Sequence, residues 1–307
     1  MRSSSASSEA FSLTPPAGFD FWRTAFSHGW CALPPFSHDP ERRGLSRVFT
    51  LPGGLIATCT MSAGGRGVRV RAAWSRDPDA GARSDLIGQI RTCLRMDEDF
   101  TEFHSEARRH PRYRWIAACG AGRMLRSPSV FEDALKMICT TNCTWGLTTL
   151  MVSNLVASGG GRAGKSGTAF PSPASVAGMT ESFLRKEVKA GYRSPFILAL
   201  ADRVASGDLD IESWRSSPLP TPALFEEMKT VKGIGPYAAG NLLKLTGRYD
   251  YLGLDSWVRA KYSELRRRGR RVKDSTIEKD YEEFGKWRGL FFWLEMTREW
   301  HGDKFRL

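Results

Sequence analysis

The chain has 307 residues, 41% of them hydrophobic, and a formal net charge of +12 at pH 7. The hydrophobic content is typical of a folded protein and excludes a largely disordered chain. The positive charge attracts polyanions, so nucleic acid is the leading candidate partner and an anionic membrane surface is the alternative.

No stretch of the sequence approaches the roughly 20 apolar residues of a membrane-spanning helix. The Ser-rich N-terminus lacks the apolar segment of a secretory signal. We therefore expect a soluble intracellular protein without a membrane partner, in the cytoplasm or nucleoid of a bacterium or in the nucleus of a eukaryote. The six cysteines are predicted to be free thiols. Cys139 and Cys143 alone are close in sequence, and without a second pair nearby they indicate core packing rather than a metal site.

Residues 1–18 are predicted to be a disordered tail, because they are polar and end in consecutive prolines. Residues 19–95 are predicted to form a small antiparallel β subdomain. Within it, β-forming residues at 55–61 and 68–72 flank a Gly-rich turn, a pattern typical of a hairpin.

Helical patterns dominate the rest of the chain, 96–307, which is predicted to be a helical core. One helix is expected to begin with Ser127 as N-cap and Pro128 in the first turn, because Phe131, Leu135 and Ile138 follow at helical spacing. Residues 158–173 are rich in Gly and Ser and predict a flexible loop.

Residues 159–166 within this loop match the phosphate-binding pattern G-x-x-x-x-G-K-S. That motif needs a strand before the loop and a helix directly after it, whose amides face the phosphates. Pro171 and Pro173 follow too soon for such a helix, and 147–156 is more helical than strand-like. We favour a connector, and a nucleotide hydrolase remains an alternative that depends on Lys165.

Residues 221–247 predict two helices joined by a tight turn. Thr221 is the expected N-cap of the first helix, and Pro236 the first residue of the second, which ends at Gly247. Gly233 and Gly235 permit positive φ in the turn between them. The pattern predicts a helical hairpin.

The glycines of this turn expose backbone N–H groups at a helix N-terminus, where a phosphate can bind. Lys232 adds positive charge beside Gly233 and Gly235, and Ile234 is expected to point inward and anchor the turn. Such contacts position a protein on DNA without reading the base sequence. The alternative is an ordinary corner between two helices.

Asp255 follows the hairpin and opens another predicted helix, with Val258, Tyr262 and Leu265 on one face. At a helix N-terminus, the dipole and nearby amides stabilise an ionised carboxylate. The alternative is that Asp255 serves only as a helix cap.

Together, segments 231–241 and 254–259, with Asp255 18 positions after Tyr237, resemble the helix-hairpin-helix (HhH-GPD) DNA glycosylases. Segment 123–142 is similar to the 8-oxoguanine glycosylases, and the upstream strands resemble those of that branch and of the alkylpurine glycosylases. The resemblance implies an α+β, mostly α-helical fold, with a small N-terminal antiparallel β subdomain followed by a two-part helical HhH-GPD core.

The resemblance also implies an activity. Bifunctional members carry a lysine where Tyr237 stands, and a tyrosine cannot form their Schiff base. Lys232 and Lys244 do not match that position, so we expect base release without strand cleavage. Adenine glycosylases carry a catalytic glutamate in the helix that corresponds to 134–139, and this segment contains no glutamate. No cysteine follows Cys143, so the four cysteines of an iron-sulfur cluster are not available. We expect no cofactor, although a monovalent cation at the hairpin is left open.

The expected substrate is double-stranded DNA that contains a damaged base, bound by a monomer. The base is flipped out of the duplex, and Asp255 stabilises the oxocarbenium-like sugar or orients a water. A positively charged alkylated purine leaves easily, which suits a site without the lysine and the glutamate. Two alternatives stay open: another lesion (8-oxoguanine, uracil or mismatched thymine), and a noncatalytic DNA-binding protein.

Asn142, at the end of a predicted helix, and Arg259 are further candidate DNA contacts; a helix C-cap is the equally weighted alternative for Asn142. Tyr237, Trp145 and Trp257 are candidates for stacking on the extruded base. For the aromatic run 291–293 we favour core packing, and the alternative is that it forms a wall of the base pocket. A basic strip behind Asp255 is expected to follow the DNA backbone in part. The strip consists of Arg259, Lys261, Arg266, Arg267, Arg268, Arg270, Arg271 and Lys273.

Overall fold

A computed structural model describes residues 7–65, 67–162 and 167–302 of the chain. Its fold is α+β and mostly helical, as the sequence predicts. The strands are β1 Ser8–Leu13, β2 Phe36–Asp39, β3 Gly44–Leu51, β4 Leu55–Gly64 and β5 Gly67–Trp74. The helices are α1 Phe21–Ala25, α2 Ala80–Cys93, α3 Thr101–Arg109, α4 Arg114–Cys119, α5 Val130–Thr140, α6 Trp145–Gly159, α7 Pro173–Ala177, α8 Glu181–Lys186, α9 Ser194–Ser206, α10 Thr221–Lys229, α11 Pro236–Thr246, α12 Ser256–Arg267, α13 Asp274–Tyr281 and α14 Arg288–Met296.

The strands form one antiparallel sheet in the order β1-β5-β4-β3-β2. Along β5, Val68 and Val70 are buried while Arg69 and Arg71 are exposed, so one face of the sheet packs on the protein and the other faces solvent. The hairpin predicted from 55–61 and 68–72 is confirmed as β4 and β5.

Strand β1 corrects the prediction that 1–18 is disordered, which is wrong for Ser8–Leu13. This segment pairs along its whole length with β5, from Ser8 opposite Ala73 to Leu13 opposite Val68. Phe11 and Leu13 pack on the core. A short edge strand gains its stability from pairing with the neighbouring strand, so the polar composition of this segment did not predict a strand. Residues 1–6 lie outside the described ranges.

The Gly-rich loop is shorter than predicted. Helix α6 continues to Gly159, and an isolated bridge joins Arg162 to Thr168. Residues 163–166 of the phosphate-binding pattern, including Lys165, lie outside the described ranges. The segment before that pattern is helix α6, not the strand that a nucleotide-binding loop requires.

Two hydrophobic cores organise the described residues. The first joins the inner face of the sheet to α2, α5, α6 and α9–α11. The second lies among α3, α4 and α12–α14. Helix α11 belongs to the first core and α12 to the second, so the hairpin and Asp255 lie where the two cores meet.

Helix α5 is held to the sheet by a buried ion pair. The guanidinium of Arg47 on β3 contacts the carboxylate of Glu132 at 2.6 Å, and Lys136 contacts the same carboxylate at 2.7 Å. These two cations outweigh the effect of burial and lower the pKa of Glu132 to about 2. The interaction fixes α5, whose C-terminal end reaches the candidate site.

The start of α5 differs from the prediction. Its N-cap is Ser129, whose hydroxyl accepts from the Glu132 N–H, and Ser127 lies before the helix as a buried residue. The carboxylate of Glu212 accepts from the N–H groups of Val130 and Phe131, which have no partner within the first turn of the helix. The prediction of a cap at Ser127 was wrong by two residues. The sequence pattern could not show that the distant Glu212 satisfies the first N–H groups of a helix that begins after Ser129.

Arg95 connects the end of α2 to the end of α11. Its buried guanidinium donates to the carbonyls of Lys244 and Leu245 at 2.8 and 2.7 Å, where α11 leaves carbonyls without helical partners. It also pairs with Glu98 at 2.8 Å.

Among the described residues, no helix is long and apolar enough to cross a membrane.

Candidate active site beside a helical hairpin

The predicted hairpin is confirmed as α10, a tight turn and α11. Gly233 has φ +90°, and a Cβ on it would lie 2.7 Å from Phe196, so both the backbone and the packing require glycine there. Gly235 has an extended φ of −85° rather than a positive one; its lack of a side chain leaves open space before α11. Val231 and Ile234 are buried and anchor the turn.

The first helix of the hairpin begins one residue differently from the prediction. Thr221 is its first residue rather than its N-cap, which is Pro220. The Thr221 hydroxyl donates to the carboxylate of Asp250 at 2.7 Å, so it ties the hairpin to the loop after α11. The cap prediction for Thr221 was therefore wrong.

Asp255 is the N-cap of α12, as the sequence predicts. Its Oδ1 accepts from the Val258 N–H at 2.8 Å, which fixes the direction of the carboxylate. The residue is partly exposed and borders two cavities that meet at this point.

The first cavity is an open groove of about 860 Å³ along the hairpin. It brings together most of the predicted DNA contacts, namely Asn142, Lys232, Gly233, Ile234 and Gly235, with Tyr237, Asp255 and Trp257. Tyr192 also lines the groove and is exposed. Its hydroxyl accepts a long hydrogen bond from the Asn142 amide at 3.4 Å, and Asn142 has a left-handed φ of 47°.

The second cavity, of about 260 Å³, is a pocket dominated by indole rings. Trp145 and Trp257, two of the predicted stacking residues, meet Tyr237 here, and all three are about 40% exposed (40%, 41% and 40%). The full lining is His28, Gly29, Trp30, Met124, Met137, Thr140, Cys143, Trp145, Thr148, Tyr237, Asn241, Leu245, Asp255, Trp257, Trp293 and Trp300. We refer to it as the tryptophan pocket.

Packing between distant segments holds these rings in place. Trp257 stacks on Trp300 with ring centroids 5.5 Å apart, and Trp300 meets Trp293 edge to face at 5.8 Å. Trp145 lies against Gly29, where a Cβ would come within 2.5 Å of the ring. The Trp30 indole donates to Asp133 on α5 at 2.8 Å.

Sequence reasoning missed several lining residues, including His28, Trp30, Tyr192 and Trp300. For 291–293 it favoured core packing, which holds for Phe291 and Phe292, but Trp293 lines the pocket. No local signal distinguishes these aromatics, because the same residue types fill hydrophobic cores.

Lys244 lies behind this site, on α11. It is 1% exposed, and its amine sits 5.3 Å from the centre of the Trp293 ring. A Cβ on Gly253 would lie 2.6 Å from the amine, so the loop before Asp255 packs closely on it. Burial lowers the pKa of Lys244 to about 8, and the Asp255 charge opposes this change. Lys244 is absent from the lining of both cavities.

Much of the predicted basic strip is engaged in ion pairs. Arg259 contacts Asp274 through two nitrogens, both at 2.8 Å, and Arg266 contacts Glu295 at 2.7 Å. These pairs join α12 to α13 and α14. The exposed part of the strip is its C-terminal end, formed by Arg268, Arg270, Arg271 and Lys273.

The described residues contain no group of three or more His, Cys, Asp or Glu side chains suited to a metal ion. The six cysteines are free, which confirms the predicted thiols, and Cys139 is buried in the core.

No family model and no curated protein matches the sequence. Solved structures do share its fold. MBOgg1 in complex with a low-affinity DNA ligand is 18% identical, with a TM-score of 0.73 over 97% of this chain and 100% of that one. The 3-methyladenine DNA glycosylase from Archaeoglobus fulgidus is 16% identical, with a TM-score of 0.73 over 95% and 98%.

The 8-oxoguanine glycosylase/lyase of Clostridium acetobutylicum, in complex with double-stranded DNA, is 20% identical, with a TM-score of 0.69 over 95% and 98% of the two chains. The chain therefore has the fold of helix-hairpin-helix DNA glycosylases. At these identities the similarity establishes the fold, and the chemistry has to be argued from the site.

Proposed function

We propose that this protein is a monofunctional DNA glycosylase that removes alkylated purines from double-stranded DNA. The observation that carries the proposal is the position of Asp255, a helix N-cap where the hairpin groove meets the tryptophan pocket. DNA on the groove places its backbone beside the pocket, and a base turned out of the duplex enters it.

The hairpin supplies the contact to the DNA backbone. The open face at Gly235, the N-terminus of α11 and the exposed Lys232 together favour a phosphate. The exposed side chains of Asn142 and Tyr192 on the same groove are suited to occupy the gap that the extruded nucleotide leaves.

The pocket favours a planar cation. Electron-rich indole faces attract positive charge, and an alkylated purine carries such a charge on its ring. This charge also makes the purine a good leaving group, which needs little acid catalysis. As the glycosidic bond breaks, positive charge develops on the sugar, and the Asp255 carboxylate stabilises it or directs a water to C1′.

The decisive experiment replaces Asp255 by Asn. Asn caps helices as well as Asp, so we expect folding and DNA binding to be retained, while release of 3-methyladenine from duplex DNA falls about 100- to 1,000-fold. Counting abasic sites over a panel of lesions, with 7-methylguanine, 8-oxoguanine, hypoxanthine, uracil and mismatched thymine included, measures both activity and specificity.

Asp274→Asn is the matched control, because that carboxylate is exposed and pairs with Arg259 away from both cavities. Its activity should equal that of the unmodified protein. Full activity in Asp255→Asn contradicts the assignment of the carboxylate. DNA binding without release of any base from the panel supports the alternative of a noncatalytic DNA-binding protein.

Strand cleavage is not part of the proposed activity. Burial raises the pKa of the Tyr237 phenol, so it stays protonated and is a poor nucleophile. Lys232 faces the groove at the hairpin, and Lys244 is enclosed behind Trp293. Borohydride added during the reaction should therefore trap no covalent enzyme-DNA adduct, whereas a trapped adduct detected on a denaturing gel would show an amine nucleophile.

A further inference from the structure

His28 is a buried polar residue in the lining of the tryptophan pocket. It precedes a short 3-10 helix at Gly29–Ala32, and the residue is 7% exposed. Its Nε2 lies 2.6 Å from the backbone carbonyl of Leu125.

This contact determines the tautomer of the ring. A carbonyl oxygen can only accept, so Nε2 carries the proton and Nδ1 keeps a free lone pair. Burial lowers the pKa of His28 to about 4 against the opposing effect of the Leu125 carbonyl. The positive charges of Arg95, Lys136 and Lys244 lower it further. The ring is therefore neutral at physiological pH, and Nδ1 is an acceptor.

The indole walls of the pocket offer no acceptor, because an indole ring carries only an N–H donor, and the Trp30 donor is already used by Asp133. The Thr140 and Thr148 hydroxyls donate to main-chain carbonyls of α5, and their oxygens keep lone pairs that can still accept. The Asp255 carboxylate also borders the pocket, and the proposed function assigns it to the sugar. The amide of Asn241 donates to the Tyr237 carbonyl at 3.0 Å, which leaves its own oxygen as an alternative acceptor for the base, beside the exposed Tyr237.

We propose that Nδ1 of His28 accepts a hydrogen bond from the 6-amino group of an extruded alkylated adenine, so that the pocket selects alkylated adenines over 6-oxo purines, 7-methylguanine included. This inference rests on the proposed function and specifies its substrate class. A 6-oxo purine presents a lone pair at the same edge, which His28 repels because the ring is neutral and unprotonated at that nitrogen.

Free bases test this selection without catalysis. Indole fluorescence of the full-length protein reports binding of 3-methyladenine and of 3-methylhypoxanthine, which differ at the 6 position. The unmodified protein should bind 3-methyladenine at least about 10-fold more tightly. In His28→Phe this preference should disappear, because 3-methyladenine loses its acceptor and 3-methylhypoxanthine loses the repulsion from Nδ1. In His28→Gln, whose amide can donate to Leu125 and still accept, it should be largely restored.

Asn241→Leu tests the competing acceptor in the pocket, and its preference should be unchanged. Loss of preference in Asn241→Leu but not in His28→Phe overturns the proposal, as does equal weakening of both bases in His28→Phe and His28→Gln. Binding of both bases without preference by the unmodified protein overturns this inference alone. Failure to bind either base, together with no release of any base from damaged DNA, overturns the proposed function itself.

Discussion

The hairpin and the tryptophan pocket meet at Asp255 but are built in different ways. The hairpin is one continuous segment that presents backbone amides and an exposed lysine to an open groove. The pocket is assembled from indole rings on segments far apart in the chain, which packing holds in place. The first suits a phosphate and the second a flat heterocycle, so affinity for DNA and selection of the base should be separable by mutation.

Replacement of Lys244, on α11 between the two regions, has the largest expected effect. The effect is on stability, because the ammonium of Lys244 is buried. Its folded pKa of about 8 lies below the ordinary 10.5, so the buried ammonium destabilises the fold. This destabilisation is complete below pH 8 and disappears as the pH rises from 8 to 10.5. Lys244→Met should therefore be more stable than the unmodified protein by about 3 kcal/mol at pH 7, with a smaller difference at pH 9.5, as measured by urea unfolding.

The control is Lys229→Met, which removes a partly exposed lysine paired with the exposed Glu226 and should change stability by less than about 1 kcal/mol. A Lys244→Met variant that is less stable at pH 7 would show that the ammonium supports the junction between the hairpin and the pocket.

Trp145→Ala should affect the pocket and spare the hairpin, because Trp145 lines the tryptophan pocket and is absent from the lining of the groove. Stacking of a base on an aromatic ring contributes about 1–3 kcal/mol, so we expect free 3-methyladenine to bind at least about 5-fold more weakly by fluorescence titration. Affinity for undamaged duplex should be unchanged. Leu150→Ala, at an exposed site on the same helix α6, is the control. A similar loss for both ligands would mean that the two regions are not separable.

Lys232→Ala should have the smallest effect and the opposite selectivity. Removing one phosphate contact should weaken binding to undamaged duplex a few-fold and reduce the slope of log affinity against log salt by about 1. Binding of free 3-methyladenine should not change. Lys279→Ala, an exposed lysine outside both cavities, is the control. An unchanged salt slope would remove Lys232 from the DNA contacts.

The sequence alone was sufficient for features that depend on a few neighbouring residues. The turn at Gly233, the start of α11 at Pro236 and the cap at Asp255 follow from backbone preferences and local hydrogen bonds, which a short segment already contains. The β4-β5 hairpin follows in the same way from β-forming residues around a Gly-rich turn.

Tertiary structure decided the features whose partners come from distant segments. Strand β1 depends on its pairing with β5, and the start of α5 depends on the carboxylate of Glu212. His28, Trp30 and Trp300 are of residue types that also occur in hydrophobic cores. Only their packing in the folded protein distinguishes a ring that fills a core from one that borders a cavity. The sequence determined where the Asp255 carboxylate lies at the start of a helix, and long-range packing determined the pocket that this residue borders.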